Sequence, residues 1–261
     1  MIAIENSVEG GVSATQDALA SITGLRIIGE YLVPVNFVLV GVPGTKLDEV
    51  RVINAHPVAY AQCRHWLEAN LPAHGFLPAT SNVSAAQDLL SLTTNAQAAI
   101  APPAITAHHD LVLLAEEIGD NPNAVTRFVL VSKNAPVSEP TGADKTSIIV
   151  ELPEDAPGTL LEMLEQFATR GVNLSLIQSR PIGDVLGRYR FVIDLDGHVR
   201  DERVADALLG LKRFSPKVMF LGSYARADHV STEVSSRYGN AKFVEARDWL
   251  RDLVSGAPDQ E

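Results

Sequence analysis

The sequence predicts an α/β protein built from two domains, and three observations lead to this prediction. Short apolar runs of β type alternate with helical patterns from the start of the chain to about residue 132, which is typical of an α/β layer. Residues 134–144 then contain two prolines, a glycine and several polar residues, which indicates a linker. From residue 145 to residue 224 the predicted order is strand, helix, strand, strand, helix, strand, the ferredoxin-like βαββαβ arrangement.

The elements of the first domain can be assigned from apolar spacing. The stretch 25–41 predicts one or two strands, with Pro34 at a kink or an edge. Residues 56–71 predict one helix with Pro57 in its first turn, where no N–H donor is needed. Residues 125–133 predict a strong strand. Because strands and helices alternate, we expect a mainly parallel sheet.

The second domain shows the helical pattern more clearly. Leu160, Leu164 and Phe167 lie on one stripe of its first predicted helix, and Gly171 is typical of a helix end. A charged tail with a short amphipathic helix follows the last strand. The sequence thus predicts a first domain, a linker, a second domain and a tail, with the bounds 1–133, 134–144, 145–224 and 225–261.

Composition excludes several classes of partner. The chain has 261 residues, a net charge of −11 and a pI of about 5.1, so neither nucleic acid nor an anionic membrane surface is an expected partner. No apolar run is long enough to span a membrane, and no signal peptide is recognisable, which predicts a cytoplasmic protein. The single cysteine, Cys63, rules out an intramolecular disulfide and is expected to be reduced and buried.

The common cofactor and metal motifs are absent from the sequence. It contains no GxGxxG, GxxxxGK[ST], CxxC, HExxH or GxSxG. His108 and His109 form the only histidine pair, and adjacent positions on a helix do not converge on one metal ion. We therefore predict no cofactor and no metal site.

One polar cluster lies at the start of the strand 125–133. The Thr126 hydroxyl can donate a hydrogen bond to a leaving group, and Arg127 can hold a carboxylate or brace the backbone beside it. Phe128 completes the triplet. The structural alternative is a strand start with an ion pair at its edge.

A second polar cluster, Glu5-Asn6-Ser7, ends the first predicted strand. Asn6 or Ser7 can simply form a turn. Alternatively, the cluster lines a ligand cleft, because α/β proteins bind ligands beyond the carboxyl ends of their strands.

The second domain also has two candidate positions. Gly158 lies at a predicted helix N-terminus, where N–H groups favour anions, and Arg180 lies late in a strand before Pro181. The alternative is that Gly158 allows a tight turn and that Arg180 is solvated.

Six stretches taken together resemble the prephenate dehydratase family. They occur in the family's order along residues 2–224. They are "IENSVEGGVSATQDAL" (4–19), "HPVAYAQC" (56–63), "NAVTRF" (123–128), "NLSLIQSRP" (173–181), "GRYRFVIDLDGH" (187–198) and "FLGSY" (220–224).

The resemblance implies a fold, an activity and a mode of control. The first domain would be a two-lobed catalytic domain like a periplasmic binding protein, and residues 145–224 an ACT regulatory domain. The implied activity is the decarboxylating dehydration of prephenate to phenylpyruvate in L-phenylalanine biosynthesis, a carbon–oxygen lyase reaction without a cofactor. L-Phenylalanine would be the allosteric effector, and paired ACT sheets would make the protein a homodimer or homotetramer.

The resemblance also assigns site residues. In the family, the threonine of the TRF motif lies at the departing hydroxyl group, the ENS motif and a glutamine line the site, and two segments of the ACT domain bind the effector. The implied residues are Thr126, Arg127 and Phe128 for catalysis; Glu5, Asn6, Ser7, Gln62, Ser81 and Asn82 for substrate; and Gly158, Thr159, Leu160, Asn173, Gln178, Ser179 and Arg180 for effector.

Several positions depart from the family pattern. The usual Ser-His-Pro is Ala55-His56-Pro57, the usual Ser-Thr pair is Ser81-Asn82, and Ala124 replaces an asparagine. Gln178 replaces a glutamate in the effector segment, and a neutral amide there would weaken the grip on an ammonium group.

The largest departure concerns the start of the chain. Family members begin with a strand and a Gly-Pro-x-Gly-Thr-Phe loop that precede the ENS motif, so we expect the first lobe to be incomplete here. An alternative function follows, in which the chain is catalytically impaired and only binds an amino acid. A narrower alternative keeps the chemistry but takes arogenate as the substrate.

Overall fold

The computed structural model describes residues 1–183 and 187–256. Residues 184–186 of the predicted second domain and 257–261 of the predicted tail lie outside the described residues. The described strands are β1 (Ile2–Asn6), β2 (Gly10–Gly11), β3 (Leu25–Pro34), β4 (Val38–Gly41), β5 (Val52–Ala55), β6 (Gly75–Pro78), β7 (Ala98–Ala101), β8 (Val112–Ala115), β9 (Val125–Lys133), β10 (Asp144–Glu151), β11 (Leu174–Pro181), β12 (Tyr189–Asp196) and β13 (Lys217–Ala225). The described helices are α1 (Ser13–Ser21), α2 (Pro57–Ala61), α3 (Arg64–Asn70), α4 (Asn82–Leu90), α5 (Ile105–His108), α6 (Thr159–Ala168), α7 (Glu202–Phe214) and α8 (Asn240–Ser255).

The N-terminal sheet has the strand order β2-β1-β9-β3 in the described part of the chain. β1 and β2 pair antiparallel, with Glu5 opposite Gly11 and Asn6 opposite Gly10. The hydroxyl group of Thr15 in α1 donates to the carbonyl oxygen of Ala3 at 2.6 Å, which holds α1 against β1. The sheet therefore joins the opening residues of the chain to the strand that carries the TRF motif.

The C-terminal sheet has the order β11-β12-β10-β13, and its described pairings are antiparallel. Helices α6 and α7 cover one face, where Ile148, Ile193, Phe167 and Leu211 form a core. The element order β10-α6-β11-β12-α7-β13 is the predicted βαββαβ arrangement.

The two sheets share a hydrophobic core. Ile4 and Val129 of the N-terminal sheet pack in one cluster with Ile149 and Tyr224 of the C-terminal sheet. Gly222 lies in β13 with a φ of 151°, and a Cβ atom there would collide with the carbonyl oxygen of Ile27. The backbone of the two sheets thus approaches closely at this glycine.

The chain divides into two compact units, residues 1–32 with 127–261, and residues 33–126. The first unit therefore combines the N-terminal and C-terminal sheets. The predicted linker lies between β9 and β10. The predicted domains are consecutive stretches of the chain, whereas the first compact unit joins stretches from both sides of the predicted linker through their shared core. The two divisions describe different things, so the predicted domain bounds stay a prediction.

The second unit contains a mixed sheet with the order β6-β5-β7-β4-β8 among the described strands. β5 is parallel to β6 and β7, whereas β4 is antiparallel to β7 and β8. The expectation of a mainly parallel sheet is corrected at β4. An apolar run shows that a strand is buried but does not encode its direction.

The helix predicted over 56–71 is in fact two helices, α2 and α3. The Asp120 carboxylate accepts hydrogen bonds from the backbone N–H groups of His65 and Trp66, both at 3.1 Å, and so satisfies free donors where α3 begins. Cys63 lies between the helices and is buried, as expected. Burial, with a contribution from Asp120, raises the pKa of the Cys63 thiol to about 12, so it stays protonated at neutral pH.

Candidate functional site

Arg127 in β9 is buried and binds side chains from both sheets of the first unit. Its Nε donates to Glu30 Oε2 at 2.6 Å, and its Nη1 lies 3.1 Å from Glu5 Oε2 and 2.6 Å from Asp194 Oδ2. Its Nη2 donates to the Tyr224 hydroxyl group at 3.0 Å. Only 6% of the Arg127 side chain is exposed, and Glu30 and Asp194 are as deeply buried.

Three further groups complete this arrangement, which we call the Arg127 cluster. Lys145 Nζ lies 3.2 Å from Glu30 Oε2, and the backbone N–H of Ala227 donates to Glu30 Oε1 at 3.0 Å. The Ser147 hydroxyl lies 2.5 Å from Asp194 Oδ1 and 2.6 Å from the Tyr224 hydroxyl. Each buried charge therefore has an opposite charge and hydrogen bonds, which a buried ion requires.

The pKa directions agree with this geometry. Burial opposes a charge on Glu30, but Arg127 and Lys145 outweigh it and hold the pKa of Glu30 below its usual value of 4.5. Burial likewise opposes a charge on Arg127, yet the Asp194 carboxylate keeps the pKa of Arg127 above its usual range. Burial raises the pKa of Tyr224. The cluster thus contains charged ion pairs and a neutral phenol at neutral pH.

The ion pair between Arg127 and Glu5 joins the TRF and ENS motifs. Glu5 lies near the end of β1, and its side chain is 32% exposed. The side-chain oxygen Oδ1 of Asn6 accepts hydrogen bonds from the backbone N–H groups of Val8 at 2.8 Å and Glu9 at 3.2 Å, which forms the turn that the structural alternative anticipated. Ser7 is exposed in that turn. In β9, Thr126 and Phe128 flank Arg127 and are half-buried.

The remaining substrate candidates lie in the second unit, after β5 and β6. The Ser81 hydroxyl accepts from the N–H of Ser84 at 2.9 Å and caps α4. The side-chain oxygen Oδ1 of Asn82 accepts a hydrogen bond from the backbone N–H of His56 at 3.1 Å, which ties the start of α4 to the start of α2. Gln62 is buried at the end of α2.

The effector candidates fall into three places, at the start of α6, in β11 and just before β11. Thr159 and Leu160 line a cavity of about 160 Å³, directly after Gly158, which has a φ of 94°. Ser179 is exposed in β11, opposite the cavity residue Phe191.

The other effector candidates do not line this cavity. Gln178 and Arg180 contact α1. Asn173 lies just before the first residue of β11, at the opposite end of the strand from Ser179 and Arg180. Its Nδ2 donates a hydrogen bond to the Asp196 carboxylate at 2.6 Å. The sequence prediction therefore groups residues that lie on both faces and at both ends of one strand.

Sequence reasoning missed the residues that surround Arg127. Glu30, Lys145, Asp194 and Tyr224 were not among the candidates, although each is deeply buried. The available signal was a charged residue inside an apolar strand, such as Asp194 in "FVIDLD". Such a charge needs a buried partner, but the sequence does not identify it.

Two family models match most of the chain. A family model described as prephenate dehydratase matches residues 1–136, and one described as ACT domain matches residues 146–213. The chain belongs to the prephenate dehydratase family. The predicted family, the α/β fold class with its C-terminal ACT domain, and the assignment as a lyase are thereby confirmed.

Individual relatives agree with this membership. The chain is 41% identical to a prephenate dehydratase from Amycolatopsis methanolica over 256 residues, which covers 98% of this chain and 83% of the relative. A crystal structure of prephenate dehydratase from Arthrobacter aurescens in complex with L-Phe is also similar, with 52% sequence identity and a TM-score of 0.92. The match covers 97% of this chain and 83% of that chain. The chain is also similar to GqqA, described as a quorum quenching acylase, with 28% identity, a TM-score of 0.76, and 88% of this chain and 82% of that chain covered.

In residues 1–183 and 187–256, no helix is long and apolar enough to cross a membrane. These ranges also contain no group of three or more His, Cys, Asp or Glu side chains that could hold a metal ion.

Proposed function

We propose that this chain converts prephenate to phenylpyruvate and that Thr126 assists the departing hydroxyl group. The observation that carries this proposal is the ion pair between Arg127 and Glu5, which joins the TRF and ENS motifs in a member of the family. In the reaction the bond between the ring carbon and the hydroxyl oxygen breaks. The hydroxide that leaves takes up one proton and becomes water. The bond to the ring carboxylate breaks as CO₂ leaves, and its electron pair completes the aromatic ring.

Each candidate residue has a role in this chemistry. The Thr126 hydroxyl donates a hydrogen bond to the leaving oxygen and stabilises its developing negative charge. Arg127 positions Thr126, because its donors are engaged by protein groups, which favours the bracing role over substrate binding. Phe128 contributes to the shape of the site. The residues that orient the substrate are Glu5, Asn6, Ser7, Gln62, Ser81 and Asn82.

Regulation by L-phenylalanine is the second part of the proposal. The Arthrobacter relative was crystallised in complex with L-Phe, and the cavity beside Thr159 and Leu160 offers space for part of such a ligand. Gly158 and Ser179 lie beside the same region. Asn173 lies at the other end of β11, so it would complete the site of a second copy in a homodimer or homotetramer with side-by-side ACT sheets. We place this enzyme in the cytoplasm.

The proposal is tested by replacing Thr126 with alanine. We expect kcat for phenylpyruvate formation to fall about 10²- to 10³-fold with a much smaller change in KM, because a hydrogen bond made mainly in the transition state is lost. Thr126→Ser keeps the hydroxyl and should retain most of the activity. Unchanged turnover of Thr126→Ala would contradict the role of Thr126.

The unmodified chain separates the alternatives. If it turns over arogenate faster than prephenate, arogenate is the substrate. If it binds phenylalanine but turns over neither compound, the amino-acid-binding alternative is favoured. The similarity to an acylase makes this direct assay necessary, because a fold alone does not determine function.

A further inference from the structure

Strands β11 and β12 form a two-stranded ribbon with different surroundings on its two faces. Side chains of a strand alternate between faces, so Tyr189 and Phe191 lie on one side of β12 and Arg190 on the other. Tyr189 and Phe191 line the cavity that also contains Thr159 and Leu160. Arg190 faces α1 of the N-terminal region.

Asp17 of α1 binds both arginines on the reverse face of this ribbon. Its Oδ2 lies 2.7 Å from Arg180 Nη2, and its Oδ1 lies 2.7 Å from Arg190 Nη2. Arg180 Nη1 also donates to the Ser13 hydroxyl at 2.9 Å. The hydrogen bond from Arg180, followed by that from Arg190, overcomes burial and lowers the pKa of Asp17. We call these four residues the Asp17 cluster.

The Asp17 carboxylate also relieves a repulsion within the ribbon. Arg180 and Arg190 are directly opposite each other in the β11–β12 pairing. Like charges in this position destabilise a sheet pair, and a shared counter-ion offsets the effect. The spacing of the two strands is therefore linked to the position of α1.

Gln178 makes a second contact between the ribbon and the ENS motif. Its side-chain amide hydrogen-bonds Gln16 of α1, and it packs so closely on Gly11 that a Cβ atom there would collide with it. Gly11 pairs directly with Glu5 in the N-terminal sheet. One side chain thus lies between the ribbon and the strand pair that presents Glu5.

We infer that occupancy of the cavity is transmitted to the ENS motif through the reverse face of the β11–β12 ribbon, with Asp17 as the residue that receives it. A ligand against Tyr189 and Phe191 favours one arrangement of the ribbon, and Arg180, Arg190 and Gln178 carry this preference to α1 and β2. This inference rests on the proposed regulation by phenylalanine. A ligand shifts such an equilibrium only by its difference in affinity for the two arrangements.

Asp17→Asn tests the inference because it removes the charge and keeps the shape. We expect the variant to retain basal turnover and to bind phenylalanine normally by calorimetry. Its half-inhibitory phenylalanine concentration should rise about tenfold or more, within the usual range of coupling between two sites. Asp206→Asn is a matched control, since Asp206 pairs with Arg170 at 2.6 Å and its side chain is 42% exposed, against 43% for Asp17. The control should keep the inhibition of the unmodified chain.

Hydrogen exchange gives a second measurement that does not depend on turnover. In the unmodified chain, phenylalanine should change the exchange of peptides covering residues 2–21, and in Asp17→Asn this change should be lost while phenylalanine still binds. Equal inhibition and equal exchange response in the two chains would overturn the inference.

The outcomes also separate this inference from the proposed function. If the unmodified chain does not bind phenylalanine, the proposed regulation fails and the inference fails with it. If it binds phenylalanine but forms no phenylpyruvate, the proposed catalysis fails, and the exchange response of residues 2–21 still decides the inference.

Discussion

The N-terminal region is attached to the ACT sheet by two clusters of charged side chains that differ in burial. In the Arg127 cluster, the exposed fractions of Arg127, Glu30 and Asp194 are 6%, 2% and 0%. In the Asp17 cluster, Asp17 is 43% exposed, and Arg180 is 26% exposed. Both clusters pair arginine with carboxylate, but the three central ions of the Arg127 cluster are removed from water, whereas the Asp17 carboxylate is not.

This difference indicates different tasks. Breaking a buried ion pair is costly because the remaining charge has no solvent to replace its partner. An exposed pair contributes little, because water and salt screen it and solvate both partners when it opens. The Arg127 cluster should therefore hold the sheets together, whereas the Asp17 cluster can rearrange at small cost and is suited to carrying a signal.

The largest expected effect separates the two clusters directly. Arg127→Met leaves Asp194 and Glu30 buried without their main cation and should destabilise the first unit by about 3–5 kcal/mol. Asp17→Asn should cost about 1 kcal/mol or less, given its exposure. Urea denaturation followed by circular dichroism measures both. Equal costs would show that burial does not distinguish the clusters.

A smaller effect is expected inside the Arg127 cluster. Tyr224→Phe removes one hydroxyl group. Arg127 Nη2 then loses its acceptor, whereas Ser147 keeps its hydrogen bond to Asp194, and the substitution should cost about 1–3 kcal/mol. Tyr31→Phe is the control, because Tyr31 is 51% exposed in β3 and its change should stay within about 0.5 kcal/mol. A neutral Tyr224→Phe substitution would mean that the phenol does not support the buried charges.

The smallest effect is a dependence on pH. The folded-state pKa of Glu30 lies below its ordinary value of 4.5, so its stabilising contribution is fully present above about pH 4.5 and is lost as the pH falls through the folded-state pKa. Glu30→Gln should therefore be less stable than the unmodified chain at neutral pH, and the gap should narrow in acid. Denaturation at several pH values measures this gap, and carboxylates present in both chains cancel. A gap that widens in acid would reverse the expected sign.

Local sequence patterns predicted much of the fold. The order of elements in the ACT domain followed from apolar spacing in residues 145–224, because each strand and helix there has its own periodic pattern. The break between α2 and α3 could not be predicted, since it depends on Asp120, which is more than fifty residues from the start of α3 in the chain. The direction of β4 likewise leaves no trace in its residues.

In the candidate site, too, local patterns were predictable, whereas contacts between distant parts of the chain were not. The motifs around Glu5 and Arg127 were predicted to act together, and an ion pair joins them. The alternative roles of Arg127 could not be separated from the sequence, because Glu30, Asp194 and Tyr224 come from distant strands. Gln178 and Ser179 were grouped as one effector segment, although their side chains alternate between the two faces of β11.

The core shared by the two sheets has a consequence for the modularity of this protein. Ile4 and Val129 are covered by Ile149 and Tyr224, which follow the predicted linker in the chain. Severing the chain between β9 and β10 and separating the pieces would leave each with an uncovered apolar sheet face, a surface that promotes aggregation. Gain or loss of the regulatory module by recombination at this point would therefore require new residues on the faces of β1, β3 and β9.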